Sequence, residues 1–491
     1  MEKPLKILFV FSEMYPLVST GGLAEVAGAL PRALRGLGHD VRVALPCYRQ
    51  IQGAARGAQL CMTVADFGWK REHGALRGAT APDSDIPLYL VEHEGYFGRE
   101  APYGTGAYEY DDNAERYCFF CMSLLDGVRQ TGWRPDVIHC HDWHAAPVPV
   151  YLKSRLRNDP FWGGVPVVFT IHNLAFQGRY PASKFGGTGM DPELFSPQCL
   201  EYEGDLNLMK GAIALSDKIS TVSPRYAQEI QTADYGAGLD GMLAARGADL
   251  YGVLNGVDTS LWNPATDGFI AANYDADDLS GKRACKADLQ RVTGMEELPE
   301  APLFGVVGRL YWQKGIDLLL GAADSLLAGG AQLAVLGTGD PDLENGINSL
   351  SARHPGRVGV FIGYNTALSH KVMAGSDFFV MPSRYEPCGL AQMYALNYGA
   401  VPVVRRTGGL ADTVTDITPA NLRRGTANGV SFVPATVRAL ERALERALKL
   451  YSEPEQHGKV RDLGMRRDFS WNWSAGHYVT LYKKAAAGTV G

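Results

Sequence analysis

The sequence predicts an α/β protein built from two doubly wound domains. Short apolar runs alternate with segments whose apolar residues recur at helical spacing, the pattern of parallel sheets covered by helices. The first such unit contains a strand at residues 6–11, a loop with Gly21 and Gly22, a helix, and a strand at residues 41–45. The pattern restarts at residue 303, which indicates a second sheet.

Further apolar runs predict the other strands of both sheets. In the first half they occupy residues 88–91, 137–140, 167–171, 218–222 and 250–254. In the second half they occupy residues 303–307, 332–336, 357–362, 378–381 and 401–404. The halves join near residues 255–300, and helices are expected at residues 437–451 and 469–484.

Composition narrows the possible functions. The chain has 491 residues, 20% of them charged, and a net charge of -6 without a long run of one sign. These values argue against nucleic acid or an anionic membrane as the main partner. No apolar stretch is long enough to span a bilayer, and the N-terminal run is too short for a signal peptide. Eight scattered cysteines favour reduced thiols and a cytoplasmic location.

The most informative stretch runs from residue 378 to residue 413. A strand is followed by a loop containing Glu386 and Gly389, and a helix is expected at residues 390–398. Ligands of open α/β sheets bind beyond the carboxyl ends of strands, and N–H groups at a helix start favour an anion. A carboxylate beside an anion site suggests a nucleotide sugar. An acidic turn residue and a helix-start glycine would equally explain the local pattern.

Polar residues also follow three strands of the first half. Gly21 and Gly22 follow the first strand, Asp142 follows the strand at 137–140, and His172 and Asn173 follow the strand at 167–171. The carboxyl ends of parallel strands meet at one edge of a sheet, so we expect these residues to lie at the same edge.

The segment around Asp142 permits two interpretations. His139, His141 and His144 resemble metal ligands in spacing, but the order H-x-H-D-x-H differs from the H-x-H-x-D-H of metallo-β-lactamase-type hydrolases. No matching downstream set of histidines or carboxylates is evident. The alternative is a polar loop in which Asp142 accepts hydrogen bonds from hydroxyl groups and Trp143 stacks on a sugar or packs in the core.

The chain resembles the bacterial glycogen synthases and plant starch synthases of glycosyltransferase family 5. The segments that carry the resemblance occur in family order between residues 12 and 413: SEMYPLVSTGGLAEV, RPDVIHCHDWHA, FTIHNLAFQG, VLNGVD, GRLYWQKG, LGTGD, IGY and PSRYEPCGLAQMYALNYGAVPVVRRTGGLADT. The resemblance implies the GT-B fold, with two Rossmann-like domains facing across a deep cleft. It implies domains at residues 1–255 and 256–465, and a helix at 466–491 that crosses back to the first domain.

The resemblance also implies a reaction. Glucose would pass from ADP-glucose, with UDP-glucose less favoured, to the 4-hydroxyl at the non-reducing end of an α-1,4-glucan. Configuration at the anomeric carbon would be retained, and neither a metal ion nor an organic cofactor would be needed. The partners would be ADP-glucose and glycogen or a maltooligosaccharide. Nothing in the sequence sets the oligomeric state.

Roles for individual residues follow from the same resemblance. Arg309 and Lys314 match the cations on the donor diphosphate, and Glu386 would hold the glucose hydroxyls. The first domain would hold glucose through His172, Asn173 and Asp142. The donor nucleotide sugar would also contact the following residues: Ser19, Gly22, Asn255, Tyr364 near the adenine, Cys388, Gly389 and Leu390.

Two positions depart from the family pattern. The family loop K-x-G-G-L has Ser19 in place of its lysine, and Ala391 stands where many relatives carry a hydroxyl residue. Two alternatives therefore remain, an inactive glucan-binding paralogue and a related GT-B transferase with a different donor. The second glutamate of the common E-x7-E pair is Tyr394 here. Glycogen synthases of this type lack that glutamate too, so Tyr394 supports the resemblance.

Overall fold

The computed structural model describes residues 3–52, 57–82, 84–105 and 108–488. Its contacts divide the chain into two units. The N-terminal unit consists of the residues up to Val222, Ala227–Gly256 and the chain from Trp471 onward, and the C-terminal unit consists of Ser223–Tyr226 and Val257–Ser470. Each unit contains a large sheet of its own, as the restart of the sequence pattern predicts.

A nine-stranded sheet forms the centre of the N-terminal unit. The strands described in this unit are β1 (Lys6–Val10), β2 (Asp40–Pro46), β3 (Ala58–Asp66), β4 (Arg71–Thr80), β5 (Pro87–Glu92), β6 (Gly104–Thr105), β7 (Tyr108–Glu109), β8 (Val137–His141), β9 (Val167–Ile171), β10 (Arg179–Pro181), β11 (Glu201–Tyr202), β12 (Asp205–Asn207), β13 (Lys218–Thr221) and β14 (Leu250–Gly252). The sheet has the order β14-β13-β9-β8-β1-β2-β5-β4-β3. Its pairs are parallel from β14 to β5, so the polar residues after β1, β8 and β9 lie at one edge.

The antiparallel hairpin of β3 and β4 was not predicted from the sequence. Its outer face carries the exposed side chains of Leu60, Met62 and Val64, so the expected apolar-in, polar-out alternation is absent. The free edge of β3 is covered by two side chains. Asp126 accepts the Val64 N–H at 2.9 Å and Gln130 donates to the Met62 carbonyl at 2.9 Å, which blocks strand pairing at this edge.

Helices connect the strands of both units. As far as residue 256 the α-helices are α1 (Gly22–Gly36), α2 (Arg49–Gln52), α3 (Glu94–Phe97), α4 (Asn113–Thr131), α5 (Asp142–Ala145), α6 (Pro147–Lys153), α7 (Leu208–Leu215), α8 (Pro224–Glu229) and α9 (Asp240–Ala245). Beyond it they are α10 (Ser280–Val292), α11 (Ile316–Ala328), α12 (Pro341–Arg353), α13 (Thr366–Gly375), α14 (Ala391–Asn397), α15 (Gly408–Thr413), α16 (Pro419–Arg424), α17 (Val437–Tyr451), α18 (Pro454–Met465) and α19 (Trp471–Ala487). Short 3-10 helices occupy Ala182–Thr188, Pro192–Leu194, Gly247–Asp249 and Trp312–Lys314. None of the helices in the described ranges is long and apolar enough to cross a membrane.

The C-terminal unit is built on a fully parallel sheet of six strands. The strands are β15 (Leu303–Val307), β16 (Gln332–Gly337), β17 (Val358–Ile362), β18 (Phe378–Met381), β19 (Val401–Arg405) and β20 (Val430–Phe432). Their order is β17-β16-β15-β18-β19-β20, so β18 is a central strand. Helix α17 has the predicted bounds and buries Leu440, Ala443, Leu444, Ala447 and Leu450, which lie on one face at helical spacing.

The last helix, α19, belongs to the N-terminal unit and packs on α1 and on the strands β8, β9 and β13. A buried polar chain joins it to the sheet. The Tyr482 hydroxyl lies 2.8 Å from His139 Nδ1, and His139 Nε2 lies 2.6 Å from Thr170 Oγ1. Thr170 in turn lies 2.6 Å from Ser220 Oγ. Burial holds the pKa of His139 well below its usual value, so this imidazole is neutral and needs both of its hydrogen bonds.

The sequence analysis places the domain boundaries at 255/256 and 465/466. The contacts in the structure divide the chain at 256/257 and 470/471 and assign Ser223–Tyr226 to the C-terminal unit. Two hydrogen bonds join this segment to the rest of the C-terminal unit. Ser223 Oγ donates to the Pro387 carbonyl at 2.6 Å, and the Arg225 N–H donates to the Asp412 carboxylate at 2.8 Å.

We expect Tyr482→Phe to destabilise the N-terminal unit. The change leaves His139 Nδ1 buried without a partner, which costs about 1–3 kcal/mol of unfolding free energy. Equilibrium unfolding in urea measures the loss. Tyr251→Phe is the matched control, because the Tyr251 ring also contacts α19 through Lys484 and its hydroxyl makes no hydrogen bond to a described residue. Equal losses in the two variants would contradict a role for the hydrogen bond.

Candidate active site

The loop after β18 contains a buried ion pair. Glu386 has only 6% of its surface exposed. Its Oε2 atom accepts hydrogen bonds from Lys314 Nζ at 2.6 Å and from Ser383 Oγ at 3.1 Å. Lys314 remains 22% exposed, so its ammonium group connects the buried carboxylate with the surface. The structure therefore brings together two of the predicted site residues beyond the carboxyl end of a central strand.

Two glycines at the start of α15 lie directly against the Glu386 loop. A Cβ atom on Gly408 would stand 1.9 Å from the Glu386 carbonyl oxygen, and one on Gly409 would stand 2.0 Å from the Cys388 carbonyl oxygen. The Gly409 N–H donates to the Glu386 carbonyl at 3.1 Å. Any side chain at either position would displace the loop, so the two glycines determine where the Glu386 backbone lies.

A second set of contacts holds the Lys314 loop. Lys314 ends a 3-10 helix, and Gly315 after it has a φ of +69°, where a Cβ would stand 2.2 Å from the Pro382 carbonyl oxygen. The Arg384 guanidinium makes two hydrogen bonds of 2.7 Å to the Asp317 carboxylate. It also donates to the Trp312 carbonyl at 2.7 Å. These contacts fix the loops that carry Lys314 and Glu386 against each other.

Arg309 and Tyr364 lie at exposed positions in the same unit. Arg309 follows β15, and its guanidinium carbon lies 5.9 Å from the centre of the Tyr311 ring. Its guanidinium makes no hydrogen bond or salt bridge within the described part of the chain. Tyr364 follows β17 and is 88% exposed. Both side chains are therefore accessible to a ligand, and neither is in direct contact with the Glu386–Lys314 pair.

The remaining predicted residues of this unit surround the start of α14. Cys388 is buried, with 5% of its surface exposed, and Gly389 has a φ of +69°. The predicted helix at 390–398 is one residue too long at each end, because Leu390 is the N-cap residue and Tyr398 the C-cap residue of α14. The backbone N–H groups of Gly389 and Leu390 make no hydrogen bonds to other described residues.

Tyr394, which replaces the second glutamate of the E-x7-E pair, is part of a buried aromatic stack. The Trp262 ring lies 4.1 Å from the Tyr394 ring and 3.9 Å from the His370 ring, with interplanar angles of 6° and 4°. His370 Nδ1 lies 2.7 Å from the Asp267 carboxylate, which also accepts the Tyr398 hydroxyl at 2.6 Å. Position 394 thus has a packing role.

In the N-terminal unit, Asp142 and His172 lie together at the carboxyl edge of the sheet. Asp142 begins α5 with a φ of 56°, a left-handed conformation that is uncommon outside glycine. Its Oδ1 atom accepts the backbone N–H of His172 at 2.8 Å. Burial raises the pKa of Asp142 to about 7, and hydrogen bonds from the His172 and Asn173 backbones oppose this shift. Asp142 therefore acts on the loop that carries His172 and Asn173.

His141 holds the side chain of the same histidine. Its Nδ1 atom lies 2.9 Å from His172 Nε2. Burial lowers the pKa of His172 to about 3 and that of His141 well below its usual value, so both rings are neutral. Sequence analysis noted His141 only as a potential metal ligand. Among the described residues, no group of three or more histidines, cysteines or acidic residues is arranged to hold a metal ion.

The glycine loop after β1 differs in packing from its counterpart at Gly408–Gly409. Cβ atoms on Gly21 and Gly22 would meet nothing within 4 Å. Ser19 before them is exposed, and Thr20 is held by Glu13, which accepts its N–H at 2.7 Å and its hydroxyl at 2.6 Å. Since none of the described residues packs against Gly21 or Gly22 at the Cβ position, the space beside them is open to a ligand.

Asn255 lies apart from these clusters, at the end of the N-terminal unit. Its side-chain oxygen is buried and has no hydrogen-bond partner among the described residues. The adjacent Gly256 has no room for a side chain, because a Cβ would stand 2.6 Å from the Trp471 backbone. The structure therefore brings Asn255 next to the start of α19.

The N-terminal unit contains a cavity of about 370 Å³, of whose lining the sequence analysis proposed only Trp143 as a residue that could stack on a sugar. It is lined by aromatic, amide and charged side chains and small residues: Glu109, Trp143, Ala175, Phe176, Gln177, Gly178, Arg179, Tyr202 and Ala237. Phe176 is 55% exposed, and Gln177 is held by hydrogen bonds to the carbonyls of Leu174 and Ala237. In the segment HNLAFQG, Phe176 and Gln177 come just after His172. This closeness in sequence to a predicted site residue was the signal that could have indicated the two residues as part of a binding site.

Comparisons with known proteins identify relatives over the full chain. Residues 6–245 match the family model of the starch synthase catalytic domain, and residues 295–460 match that of the glycosyl transferases group 1. Glycogen synthase 2 of Geobacter sulfurreducens is 47% identical over 484 residues, which cover 98% of this chain and 99% of the relative. Glycogen synthase 1 of Methylococcus capsulatus is 44% identical over 489 residues, covering 99% and 97%.

Solved structures agree with this relationship. The catalytic domain of starch synthase IV from Arabidopsis thaliana, bound to ADP and acarbose, has a TM-score of 0.90 and 34% identity, covering 99% of this chain and 100% of that chain. A sucrose-phosphate synthase from Thermosynechococcus elongatus has a TM-score of 0.57 and 18% identity, with 98% and 99% covered, and shares the fold alone. The chain therefore belongs to the family of glycogen synthases and starch synthases, glucosyltransferases of the GT-B fold that synthesise glucans.

Proposed function

We propose that this chain transfers glucose from ADP-glucose to the 4-hydroxyl group at the non-reducing end of an α-1,4-glucan, with retention of configuration. The observation that carries the proposal is the buried Glu386 paired with Lys314, held in place by Gly408 and Gly409. The related Arabidopsis structure is bound to ADP and acarbose, which supports an adenine nucleotide as the donor's leaving group.

Lys314 and Arg309 are proposed to stabilise the leaving diphosphate. Negative charge grows there as the glycosidic bond breaks, and preorganised cations lower the barrier. The Lys314 ammonium has three N–H donors, and its bond to Glu386 uses one of them. The Arg309 guanidinium makes no salt bridge to another described residue, so no partner within the described ranges must be displaced before it binds phosphate. The N–H groups of Gly389 and Leu390 would add neutral donors, and exposed Tyr364 would contact the adenine.

Glu386 is proposed to accept hydrogen bonds from the glucose hydroxyls. Its negative charge is also suited to the positive charge that develops at the anomeric carbon. Lys314 and Ser383 orient the carboxylate in advance, so little reorganisation accompanies the reaction. Cys388, buried two residues later, would line the donor pocket.

The N-terminal unit is proposed to contact the sugar and its acceptor. His172 and Asn173 would bind the glucose, with Asp142 holding their backbone. Gly22 offers open space for close approach of the donor, and the unpartnered oxygen of Asn255 is available to a donor hydroxyl.

The proposed reaction uses no metal ion or organic cofactor. A cytoplasmic location is also proposed, supported by the absence of a disulfide among the eight cysteines of the described chain.

We expect Glu386→Gln to lower kcat by about 10²-fold or more, since it removes a preorganised charge from the reacting centre. The assay follows nucleoside diphosphate release from ADP-glucose or UDP-glucose with glycogen, with and without a chelator. Ser383→Ala is the comparison variant: it removes one hydrogen bond that orients the carboxylate but keeps the charge, so it should lower kcat less than Glu386→Gln does. Release that requires a metal, or that is unchanged in Glu386→Gln, would refute the mechanism.

We expect Ser19→Lys to lower the KM for ADP-glucose about fivefold, equivalent to an exposed charge contact of about 1 kcal/mol. The exposed position of Ser19 accommodates the longer side chain without repacking. Ser19→Gln, similar in length but neutral, should leave KM unchanged, and added salt should reduce the difference. An equal effect of both substitutions would show that charge at position 19 does not affect the donor.

The cavity at Phe176 is proposed to bind the glucan acceptor. Exposed aromatic rings suit the apolar faces of sugars, and Gln177, Glu109 and Arg179 supply hydrogen-bonding groups for hydroxyls. Phe176→Ala should raise the KM for glycogen about fivefold while the KM for ADP-glucose stays constant. Trp69→Ala is the control, because Trp69 is 64% exposed in the same unit but does not line the cavity. A change in the KM for ADP-glucose alone would place Phe176 in the donor site and contradict the proposed acceptor site.

A further inference from the structure

The side chain of His172 is held at one ring nitrogen only. Its Nε2 atom lies 2.9 Å from His141 Nδ1. Its Nδ1 atom makes no hydrogen bond to a described residue and is not among the fully buried unpartnered atoms, so solvent or a ligand reaches it. In a neutral imidazole one nitrogen carries the proton and the other accepts. If His172 Nε2 accepts a hydrogen bond from His141, His172 Nδ1 carries a proton and is a donor. If His172 Nε2 donates to His141, His172 Nδ1 is an acceptor.

The surroundings of His141 differ from those of His172. The His141 ring lies 4.0 Å from the Phe11 ring and 5.6 Å from the Phe9 ring, stacked on both. Its Nε2 atom is buried and has no partner in the described part of the chain. Burial keeps the pKa values of both imidazoles low, so each ring is neutral and has one N–H group. A hydrogen bond between His141 Nδ1 and His172 Nε2 therefore has one proton, which belongs to one ring or to the other. Only two arrangements of that proton are possible.

The two arrangements differ in whether the buried Nε2 atom of His141 carries a proton. If His172 Nε2 donates, His141 must carry its own proton on Nε2. That buried N–H lies among the rings of Phe9, Phe11 and His139 and has no acceptor among the described residues. If His141 Nδ1 donates, no N–H group is buried without an acceptor, and the proton of His172 lies on the accessible Nδ1 atom. Buried N–H groups without partners are rare in proteins, which favours the second arrangement.

We propose that His141 is a positioning residue for glucose transfer: it donates from Nδ1 to His172 Nε2 and so makes His172 Nδ1 a hydrogen-bond donor toward a sugar oxygen. The inference rests on the proposed function, in which His172 contacts the glucose. Asp142 holds the His172 backbone, so two adjacent residues at the end of β8 control one imidazole, one through its main chain and the other through its ring.

Substitution of His141 separates this role from packing. His141→Phe keeps an aromatic ring against Phe9 and Phe11 and removes the donor. His141→Asn places an amide N–H near the position of Nδ1 and retains it. We expect His141→Phe to lower kcat about tenfold, the value of one hydrogen bond at the reacting centre, and His141→Asn to recover most of the loss. Unfolding in urea should show both variants folded.

A double-mutant cycle tests whether His141 acts through His172. The change His141→Phe should cost about tenfold in the native chain and almost nothing in a His172→Ala background. Equal losses in both backgrounds would overturn the inference, as would an unchanged kcat in His141→Phe while His172→Ala is impaired.

Nitrogen-15 NMR of the histidine rings provides a readout that does not depend on activity. In the full chain without ligand, we expect the His172 proton on Nδ1, moving in part to Nε2 in His141→Phe. A proton on Nε2 in the native chain would overturn the inference. Absence of glucose transfer by the native enzyme would instead refute the proposed function, and the tautomer measurement would still decide the contact between the two histidines.

Discussion

The close contact between the backbone at residues 408–409 and the backbone at residues 386–388 determines where the candidate site of the C-terminal unit lies. Gly408 and Gly409 lie so close to residues 386–388 that a single Cβ atom at either glycine would collide with a carbonyl oxygen. This contact places the Glu386 loop at the end of β18, and the Arg384–Asp317 pair then holds the Lys314 loop beside it. The charged pair is consequently preorganised by backbone packing, which costs little when a ligand binds.

The glycine pairs at 21–22 and 408–409 occur in the same five-residue motif, TGGLA, yet the space around them differs. At 408–409 the neighbouring backbone leaves no room, whereas at 21–22 the space is open. The sequence repeat alone could not distinguish these cases, because close approach to the chain and close approach to a ligand impose the same requirement. The structure separates them.

The fold was largely predictable from local pattern. Strands β9, β15 and β18 and helix α17 have the predicted bounds, because buried parallel strands and an amphipathic helix leave clear periodic signals. The β3–β4 hairpin was not predictable, since its outer face is apolar and exposed. At the site, strand ends located Glu386, Asp142 and His172. The pairing of His141 with His172 required the structure, because the two residues come from different strands, thirty-one positions apart.

The aromatic stack of Tyr394, Trp262 and His370 limits which residues position 394 can accept. Other glycosyltransferases place a second glutamate at the equivalent of position 394. Here a glutamate in place of Tyr394 would remove one ring of the stack and put a carboxylate beside the Trp262 ring, where an uncompensated buried charge costs several kcal/mol. Acquiring it would require prior remodelling of the segment that carries Trp262 and Asp267. The packing around position 394 therefore favours an aromatic residue over a carboxylate in α14.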